Sequence, residues 1–264
     1  MRVCVFASGS SGNCMLLSGG GANILIDAGI SARRIVNSLS SLHLTMDDIS
    51  GVLITHEHSD HVSGLKTLIK NYGVKLYAPR TVANRLAGML PESQDVMTHI
   101  PVGESFMLSQ FNILAFHTPH DTDESVGYRI ERDGIFAIAT DMGHVSTEVE
   151  QGLLGADTVL IESNHDEMML RYGAYPVYLK RRILSERGHL SNDDCACLLR
   201  RLAESGTKQV ILGHLSRENN SPAKAMSAAA AAIEDYDVKL FCAPVLGQLS
   251  LQVDRTRELE QCSV

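Results

Sequence analysis

The stretch Thr55-His56-Glu57-His58-Ser59-Asp60-His61 decides the fold of this chain. It stands where an apolar run, residues 51–55, gives way to a helical pattern over residues 61–72. Side chains two residues apart in an extended stretch point the same way, so His56 and His58 can face one point. The turn into the helix brings Asp60 and His61 to a neighbouring point. This density of imidazoles indicates two adjacent metal ions rather than a solvated polar turn.

The composition is that of a globular protein, with 44% hydrophobic and 20% charged residues in 264. We interpret residues 1–253 as one domain and residues 254–264 as a polar C-terminal tail. No apolar run approaches the roughly 20 residues that span a bilayer, and the N-terminus lacks the apolar stretch of a signal peptide. We therefore expect a cytoplasmic protein with no membrane partner. The net charge of −8 argues against wrapping of nucleic acid by the whole surface.

The cysteines do not suggest a chemical role. Six of them are scattered along the chain, and Cys195 and Cys197 stand two residues apart on a predicted helix, where they cannot both face one metal ion. The sequence therefore indicates neither a disulfide framework nor a cysteine-based zinc site, and it fits a reducing compartment.

Two ions need more ligands than one motif supplies, so further histidine or aspartate residues should follow other strands. His120, Asp141 and His214 do so. The apolar runs that precede them, residues 111–116, 135–140 and 210–213, each predict a strand. The carboxylate of Asp141 could bridge the two ions.

The order of these residues resembles that of the metallo-β-lactamase-fold hydrolases, in which an HxHxDH motif, a distant His, an Asp and a last His follow one another. The resemblance implies an α/β protein, an αββα sandwich of two facing mixed β-sheets flanked by helices. It also implies two divalent metal ions, for which mixed ligation suits zinc or manganese. The implied ligands are His56, His58 and His120 for one ion, Asp60, His61 and His214 for the other, and Asp141 between them.

Two further assignments rest on the same resemblance. His117 competes with His120 for the third ligand position, and His120 is favoured because the sequence around it looks like that of the family. Asp27 ends a run similar to the family's second strand, where the acid orients the metal-binding loop. We expect Asp27 to support the ligands rather than to form a simple turn.

The late motifs resemble those of the nuclease branch of this fold, which includes RNase Z and the β-CASP nucleases. These motifs are Ile161-Glu162-Ser163, Gly188-His189-Leu190-Ser191 and Gly213-His214-Leu215-Ser216. The resemblance implies that Glu162 orients His189, which donates a proton to the leaving oxygen. In the alternative interpretation, His189 merely connects two helices. Only 20 residues separate Asp141 from Glu162, so the large inserted domain of the β-CASP nucleases is absent there.

Among compact members, the chain is similar to the YycJ/WalJ-like group, which is regarded as 5′-exonucleases acting on DNA. The similar stretches are Phe6-Ala7-Ser8-Gly9-Ser10-Ser11-Gly12-Asn13 and Glu162-Ser163-Asn164-His165-Asp166. In the first stretch, Ser8, Ser10 and Asn13 either bind a phosphate or form a plain tight turn.

A basic run precedes His189 on a predicted helix, with tyrosines nearby. It contains Lys180, Arg181, Arg182 and Arg187, and the tyrosines are Tyr172, Tyr175 and Tyr178. The cluster could grip a nucleic-acid backbone, chiefly through Arg181 and Arg182, and stack bases. The other interpretation is an ordinary solvated helix face.

The sequence thus predicts a dinuclear-metal phosphodiesterase, a 5′-exonuclease whose partner is DNA with a 5′-phosphate. Asp60 and Asp141 would hold the attacking group, and His189, oriented by Glu162, would be the general acid. One alternative is a hydrolase of thioesters or lactones like glyoxalase II, although the Glu162–His189 pair has no evident task in it. A second alternative is a non-catalytic binding member, which usually loses ligands that this chain retains.

Overall fold

The computed structural model describes residues 1–244 and 247–254, so residues 255–264 of the predicted tail lie outside the described residues. The strands are β1 (Arg2–Ala7), β2 (Cys14–Gly19), β3 (Ala22–Ile26), β4 (Ile49–Leu53), β5 (Leu76–Ala78), β6 (Met97–His99), β7 (Ser105–Leu108), β8 (Phe111–His117), β9 (Val126–Glu131), β10 (Ile135–Ala139), β11 (Thr158–Glu162), β12 (Gln209–Gly213), β13 (Lys239–Cys242) and β14 (Leu249–Gln252). The α-helices are α1 (Ala32–Ser40), α2 (Ser59–Val62), α3 (Leu65–Tyr72), α4 (Arg80–Met89), α5 (Thr147–Leu153), α6 (Glu167–Tyr172), α7 (Val177–Ile183), α8 (Asn192–Glu204) and α9 (Pro222–Ala232). Short 3₁₀ helices cover Met46–Asp48 and Pro91–Val96. Within the described ranges, no helix is both long enough and apolar enough to cross a membrane.

These strands form two mixed sheets. In the residues described, each sheet has seven strands, in the orders β14-β1-β2-β3-β4-β5-β6 and β13-β12-β11-β10-β9-β8-β7. Strands β3 to β6 run parallel in the first sheet, and β10 to β13 run parallel in the second. The other neighbours are antiparallel.

Both sheets are covered on both faces, which explains why their strands are apolar on both sides. On β3, Ile24 and Ile26 belong to the buried layer between the sheets, together with Phe136 of the second sheet. Leu25, which points the other way, belongs to the layer that α1, α3 and α4 cover. Helices α5, α8 and α9 cover the outer face of the second sheet, where Leu198 is buried. This arrangement confirms the predicted αββα sandwich.

The helix predicted over residues 61–72 is interrupted between α2 and α3. At the break, the Gly64 amide donates to the Ala28 carbonyl, 2.8 Å away. A Cβ on Gly64 would lie 2.4 Å from the Ile30 carbonyl oxygen, so a larger residue would push the two segments apart. The break therefore docks the histidine-rich loop against the chain that follows β3.

The predicted helix does not carry the whole basic run, because α7 ends at Ile183 and Arg187 lies beyond it. Gly188 is the next residue after Arg187. It lies where the chain doubles back against α7, and a Cβ there would stand 2.1 Å from the Ile183 carbonyl oxygen. Ser191 caps α8, since its hydroxyl accepts from the Asp194 amide.

Candidate metal centre and active site

The predicted site residues lie at one edge of both sheets. Asp27 follows β3, the loop of residues 55–61 follows β4, and Asp141 follows β10. Glu162 is the last residue of β11, and His214 comes directly after β12. Because the carboxyl ends of parallel strands meet at the same edge, residues far apart in sequence are gathered there.

Three of these residues adopt a backbone conformation that non-glycine residues rarely take. The φ angles are 57° for Asp27, 57° for Asp141 and 53° for His214, each within two residues of a strand end. Such a conformation costs about 1–3 kcal/mol and is found mostly where function requires it. Here the sharp turn occurs where each of these side chains joins the cluster.

The structure brings His56, His58 and His120 together, with one ring nitrogen from each within 4.8 Å of the others. His120 Nδ1 lies 3.2 Å from the Gly188 carbonyl oxygen, to which it can donate, and Nε2 lies 3.3 Å from His58 Nδ1. Burial lowers the pKa of His56 well below its usual range, and it also lowers the pKa of His120. Neutral imidazoles with converging lone pairs are the form that binds a metal ion.

A second group contains Asp60, His61 and His214. Asp60 Oδ2 lies 3.6 Å from His61 Nε2 and 3.8 Å from His214 Nε2. Asp141 lies between the two groups, because Oδ2 is 3.3 Å from His61 Nε2 while Oδ1 is 3.8 Å from His120 Nε2. Burial acts to raise the pKa of Asp141, but His214 and His61 outweigh it and lower that pKa well below its usual range. The roles of these residues as ligands stay predictions.

Two buried ring nitrogens indicate whether the cluster is suited to a metal ion. His56 Nε2 and His214 Nε2 are shielded from solvent and have no hydrogen-bond partner among the described residues. An unsatisfied buried polar group costs about 1–3 kcal/mol, so both nitrogens need a partner that the protein does not provide. Imidazole nitrogens and carboxylate oxygens around them are the ligands of zinc and manganese. The cluster therefore suits divalent metal ions.

Asp27 holds the histidine-rich loop in place, as the sequence predicts. Its Oδ1 accepts from the Thr55 amide and its Oδ2 from the Thr55 hydroxyl, both at 2.9 Å. Oδ2 also lies 2.7 Å from His61 Nδ1. The carboxylate therefore keeps the proton on Nδ1, so the lone pair of His61 Nε2 faces the cluster, where the Asn13 side-chain amide also lies 2.9 Å from it.

Glu162 and His189 form the pair that the sequence predicts. Glu162 is fully buried, and its Oε1 lies 2.7 Å from His189 Nδ1 while its Oε2 accepts from the Met142 amide at 2.9 Å. The His189 ring is 5.3 Å from the rings of both His120 and His214, and it lines the pocket. Burial acts to lower the pKa of His189, but the charge and hydrogen bond of Glu162 outweigh it and raise the pKa to about 9. The arrangement can hold a proton beside the cluster.

His117 and His144 belong to no group of potential metal ligands in the described residues. His117 is exposed and contacts Glu148 and Glu124, so the structure favours His120 over it. His144 is also exposed. His165 is buried, and sequence reasoning assigned it no role.

The loop after β1 only partly matches its predicted role in phosphate binding. Ser8 is 4% exposed, and its hydroxyl accepts from the His214 amide at 2.9 Å. Asn13 is 5% exposed, and its Nδ2 lies 2.9 Å from His61 Nε2. Neither side chain lines the pocket, and both contact residues of the cluster. Ser10 does line the pocket.

The arginines of the basic run make different contacts in the structure. Arg182 lines the pocket and pairs with Asp121, and Arg187 donates to the carbonyl oxygens of His120 and Thr122. Arg187 thus holds a ligand-bearing loop, a role that sequence reasoning missed. Arg181 is exposed.

Sequence reasoning missed other residues of the pocket. Asp121 Oδ1 lies 3.3 Å from His120 Nε2, next to the first histidine group. The remaining missed residues that line the pocket are Asn164, Leu179, Ile183 and Ser216. The only sequence signal for Asp121 is its position next to His120, a predicted ligand. For Leu179 and Ile183, the only signal is their spacing of four residues on one helix.

Comparisons with known proteins agree with this geometry. Residues 22–215 match the beta-lactamase superfamily domain. Exodeoxyribonuclease WalJ of Streptococcus pneumoniae is 39% identical over 223 residues, which cover 82% of each chain. Exodeoxyribonuclease YycJ of Bacillus anthracis is 35% identical over 220 residues, which cover 82% of this chain and 83% of that one. Among solved structures, the metallo-β-lactamase-fold protein YhfI of Bacillus subtilis is similar with a TM-score of 0.72 at 14% identity, over 95% of this chain and 99% of that chain.

These similarities extend over the residues of the site. The superfamily match contains every strand-end residue from Asp27 to His214. The likeness to YhfI concerns the fold alone, because the identity is low. The chain therefore belongs to the beta-lactamase superfamily, in the group of metallo-β-lactamase-fold proteins that includes WalJ and YycJ.

Proposed function

We propose that the protein is a metal-dependent nuclease that removes nucleotides from the 5′ end of DNA. The observation that carries the proposal is the 2.7 Å contact between Glu162 and His189 beside the predicted metal ligands. Relatives at 35% and 39% identity, named as exodeoxyribonucleases, support it. A thioester or lactone hydrolase would use the same cluster but would leave this pair without a task.

In this proposal the cluster would bind two divalent ions, zinc or manganese. His56, His58 and His120 would hold one, Asp60, His61 and His214 would hold the other, and Asp141 would contribute to both. When bound, such ions make water a competent nucleophile near neutral pH and neutralise charge on the phosphoryl oxygens. Asp60 and Asp141 keep the ligand imidazoles aligned, since their oxygens lie within 4 Å of them.

His189 supplies the proton for the leaving group. Because its Nδ1 is held by the Glu162 carboxylate, the other ring nitrogen, Nε2, carries the proton that the leaving alcohol needs. The bond between phosphorus and the sugar 3′ oxygen breaks, and that oxygen takes the proton. The negative charge of Glu162 stabilises the protonated imidazolium form of His189.

The strand of DNA approaches along residues 167–184, which we call the α6–α7 segment. Of the eight exposed large apolar side chains among the described residues, five belong to it: Met168, Tyr172, Val177, Tyr178 and Leu184. Its Tyr175 and Leu179 line the pocket, so the exposed surface continues into the site. Arg181 and Arg182 lie on the same segment. Aromatic side chains beside cations suit the stacked bases and phosphates of a single strand.

Replacing both Tyr172 and Tyr178 with alanine should raise the KM for single-stranded DNA about tenfold or more and change kcat little. The reason is that stacking contributes about 1–3 kcal/mol per base. Steady-state digestion of an end-labelled oligonucleotide measures both constants. Tyr72→Ala is the matched control, because Tyr72 is an exposed tyrosine on α3. An unchanged KM in the double variant would remove the α6–α7 segment from the proposed path.

Removing the metal should inactivate the protein reversibly and leave it folded. Stability comes mainly from the three buried apolar layers, and the ligand residues stand beyond the strand ends. After chelation, far-UV circular dichroism should stay the same, the Tm should fall because bound ions stabilise only the folded state, and added Zn²⁺ or Mn²⁺ should restore cleavage. Unfolding by the chelator would mean that the ions are chiefly structural.

The deciding experiment compares substrates. Purified protein is incubated with end-labelled single- and double-stranded DNA and RNA, and separately with a thioester, in the presence of Zn²⁺ or Mn²⁺. We expect release of nucleotides from the 5′ end of DNA. Thioester hydrolysis without cleavage of nucleic acid would support the alternative hydrolase, and no bound metal would support a non-catalytic member.

A further inference from the structure

The loop after β1 and the loop after β12 lie side by side at the rim of the pocket. Ser8 accepts from the His214 amide at 2.9 Å, and Arg217 Nη2 donates to the Ser11 hydroxyl at 2.8 Å. Between these two contacts, a Cβ on Gly9 would lie only 3.5 Å from a carbonyl oxygen of the second loop. The two loops are therefore packed together, and each also delivers a residue, Ser10 or Ser216, to the pocket lining.

Arg217 is an exposed cation that has no carboxylate partner among the described residues. The other arginines around the pocket are occupied, Arg182 by Asp121 and Arg187 by backbone carbonyl oxygens. The one contact of Arg217 is the hydroxyl of Ser11, which leaves most donors of its guanidinium group free. A guanidinium of this kind can accept a phosphate in two-point contact.

The first loop adds donors beside this cation. Ser10 and Ser11 are exposed, and in the described parts of the chain no hydrogen bond uses their backbone amides. The turn is closed by a bond from the Gly12 amide to the Gly9 carbonyl, and a Cβ on Gly12 would lie 2.6 Å from a backbone oxygen. The loop is thus held in one conformation that presents two amides and two hydroxyls. Such groups of donors bind oxyanions.

The rest of the pocket lining contains more carboxylates than arginines, three aspartates against Arg182 alone. These aspartates are Asp60, Asp121 and Asp141, so a phosphate group entering without counter-charge meets three carboxylates. Bound metal ions would contact the phosphodiester group that is cleaved. The phosphate at the end of the strand needs a separate binding site, because it carries about −1.5 to −2 charges near neutral pH.

We propose that Arg217, Ser10 and Ser11 bind the terminal 5′-phosphate of the substrate. The inference rests on the proposed function. A monoester dianion gains more from Arg217 than an internal diester with one charge does, so the group selects chain ends over internal positions. The remainder of the strand then follows the α6–α7 segment, and cleavage proceeds from the 5′ end.

The test compares one oligonucleotide with a 5′-phosphate and with a 5′-hydroxyl end, using the metal-loaded protein. For the unaltered protein, kcat/KM should be roughly 10- to 100-fold higher on the phosphorylated end, the size of a hydrogen bond to a charged group. In Arg217→Gln this ratio should fall to near one, chiefly through KM. The double change Ser10→Ala with Ser11→Ala should lower it about 2- to 10-fold, because the amides remain. Arg33→Gln, at an exposed arginine on α1, is the matched control and should keep the ratio.

Three results would contradict the inference. They are a ratio near one in the unaltered protein, an unchanged ratio in Arg217→Gln, and a loss in Arg217→Gln that is equal for both ends, which is what a merely structural role predicts. Direct binding of the two oligonucleotides to metal-loaded His189→Ala, measured by fluorescence anisotropy, provides a readout that does not depend on turnover. If the metal-loaded protein cleaved no DNA end at all, the proposed function itself would fail.

Discussion

Replacing Asp60 with alanine is expected to lower cleavage of DNA by about 10³-fold or more, because it removes a carboxylate from the cluster that stabilises charge during the reaction. The protein should stay folded, since Asp60 is only half-buried and contributes no apolar packing. Metal analysis of the purified variant should find fewer ions per chain than in the unaltered protein. Thermal unfolding and circular dichroism check the fold.

His61 is a poorer choice for this test than its neighbour, although both belong to the same group. It is fully buried and bonded to Asp27, so its replacement would disturb the loop as well as the cluster. Asp235→Ala is a suitable control, because Asp235 is an exposed aspartate outside the site. Full activity of Asp60→Ala with one ion lost would rule out a two-metal mechanism.

Replacing His189 with alanine is expected to keep the metal ions and to lower turnover by roughly 10²–10⁴-fold, as typical for lost acid–base catalysis. The loss should shrink on a nitrophenyl phosphodiester, whose leaving group needs little protonation. Side-by-side rates on DNA and on this substrate measure the difference. His117→Ala is the control, because His117 is an exposed histidine that contacts only carboxylates.

Glu162→Gln should give a smaller defect of the same kind, and adding it to the His189 change should cost little more, as expected for residues that act as a unit. The variant removes the charge that raises the pKa of His189 to about 9, so that pKa should fall and the alkaline limb of the rate profile should move to lower pH. Equal losses of His189→Ala on good and poor leaving groups, or additive losses in the double variant, would show that the pair does not donate a proton.

The sandwich was predicted from the resemblance of the histidine and aspartate motifs to a known family, and the meeting of the predicted ligand residues from their position after apolar strands. Polar residues that follow parallel strands gather at one edge of a sheet. For this reason His120 and Asp141 could be placed beside His56 from spacing and family resemblance alone. The edge strands β6 and β7 were missed, because they carry at most one buried side chain each to mark them.

The tasks of individual polar groups could not be predicted in the same way. Ser8 and Asn13 stand in a loop that looks suited to phosphate, yet Ser8 bonds a backbone amide 206 residues further along the chain. Arg187 belongs to a basic run, yet it holds the carbonyl oxygens of a loop 65 and 67 residues before it. A polar residue takes whichever partner the packing leaves unsatisfied, and a linear pattern does not contain that information.

The sequence by itself, through its resemblance to a known family, therefore determined the fold class and predicted which residues meet beyond the strand ends, Glu162 and His189 among them. Only the tertiary structure decided which cations near the pocket remain available, since Arg182 and Arg187 are occupied and Arg217 has no carboxylate partner among the described residues. It also decided that the surface of the α6–α7 segment continues into the pocket. The physical reason is that polar residues directly after parallel strands meet at one edge of the sheet once the strands pair, whereas the availability of a charge depends on every neighbour that folding brings to it.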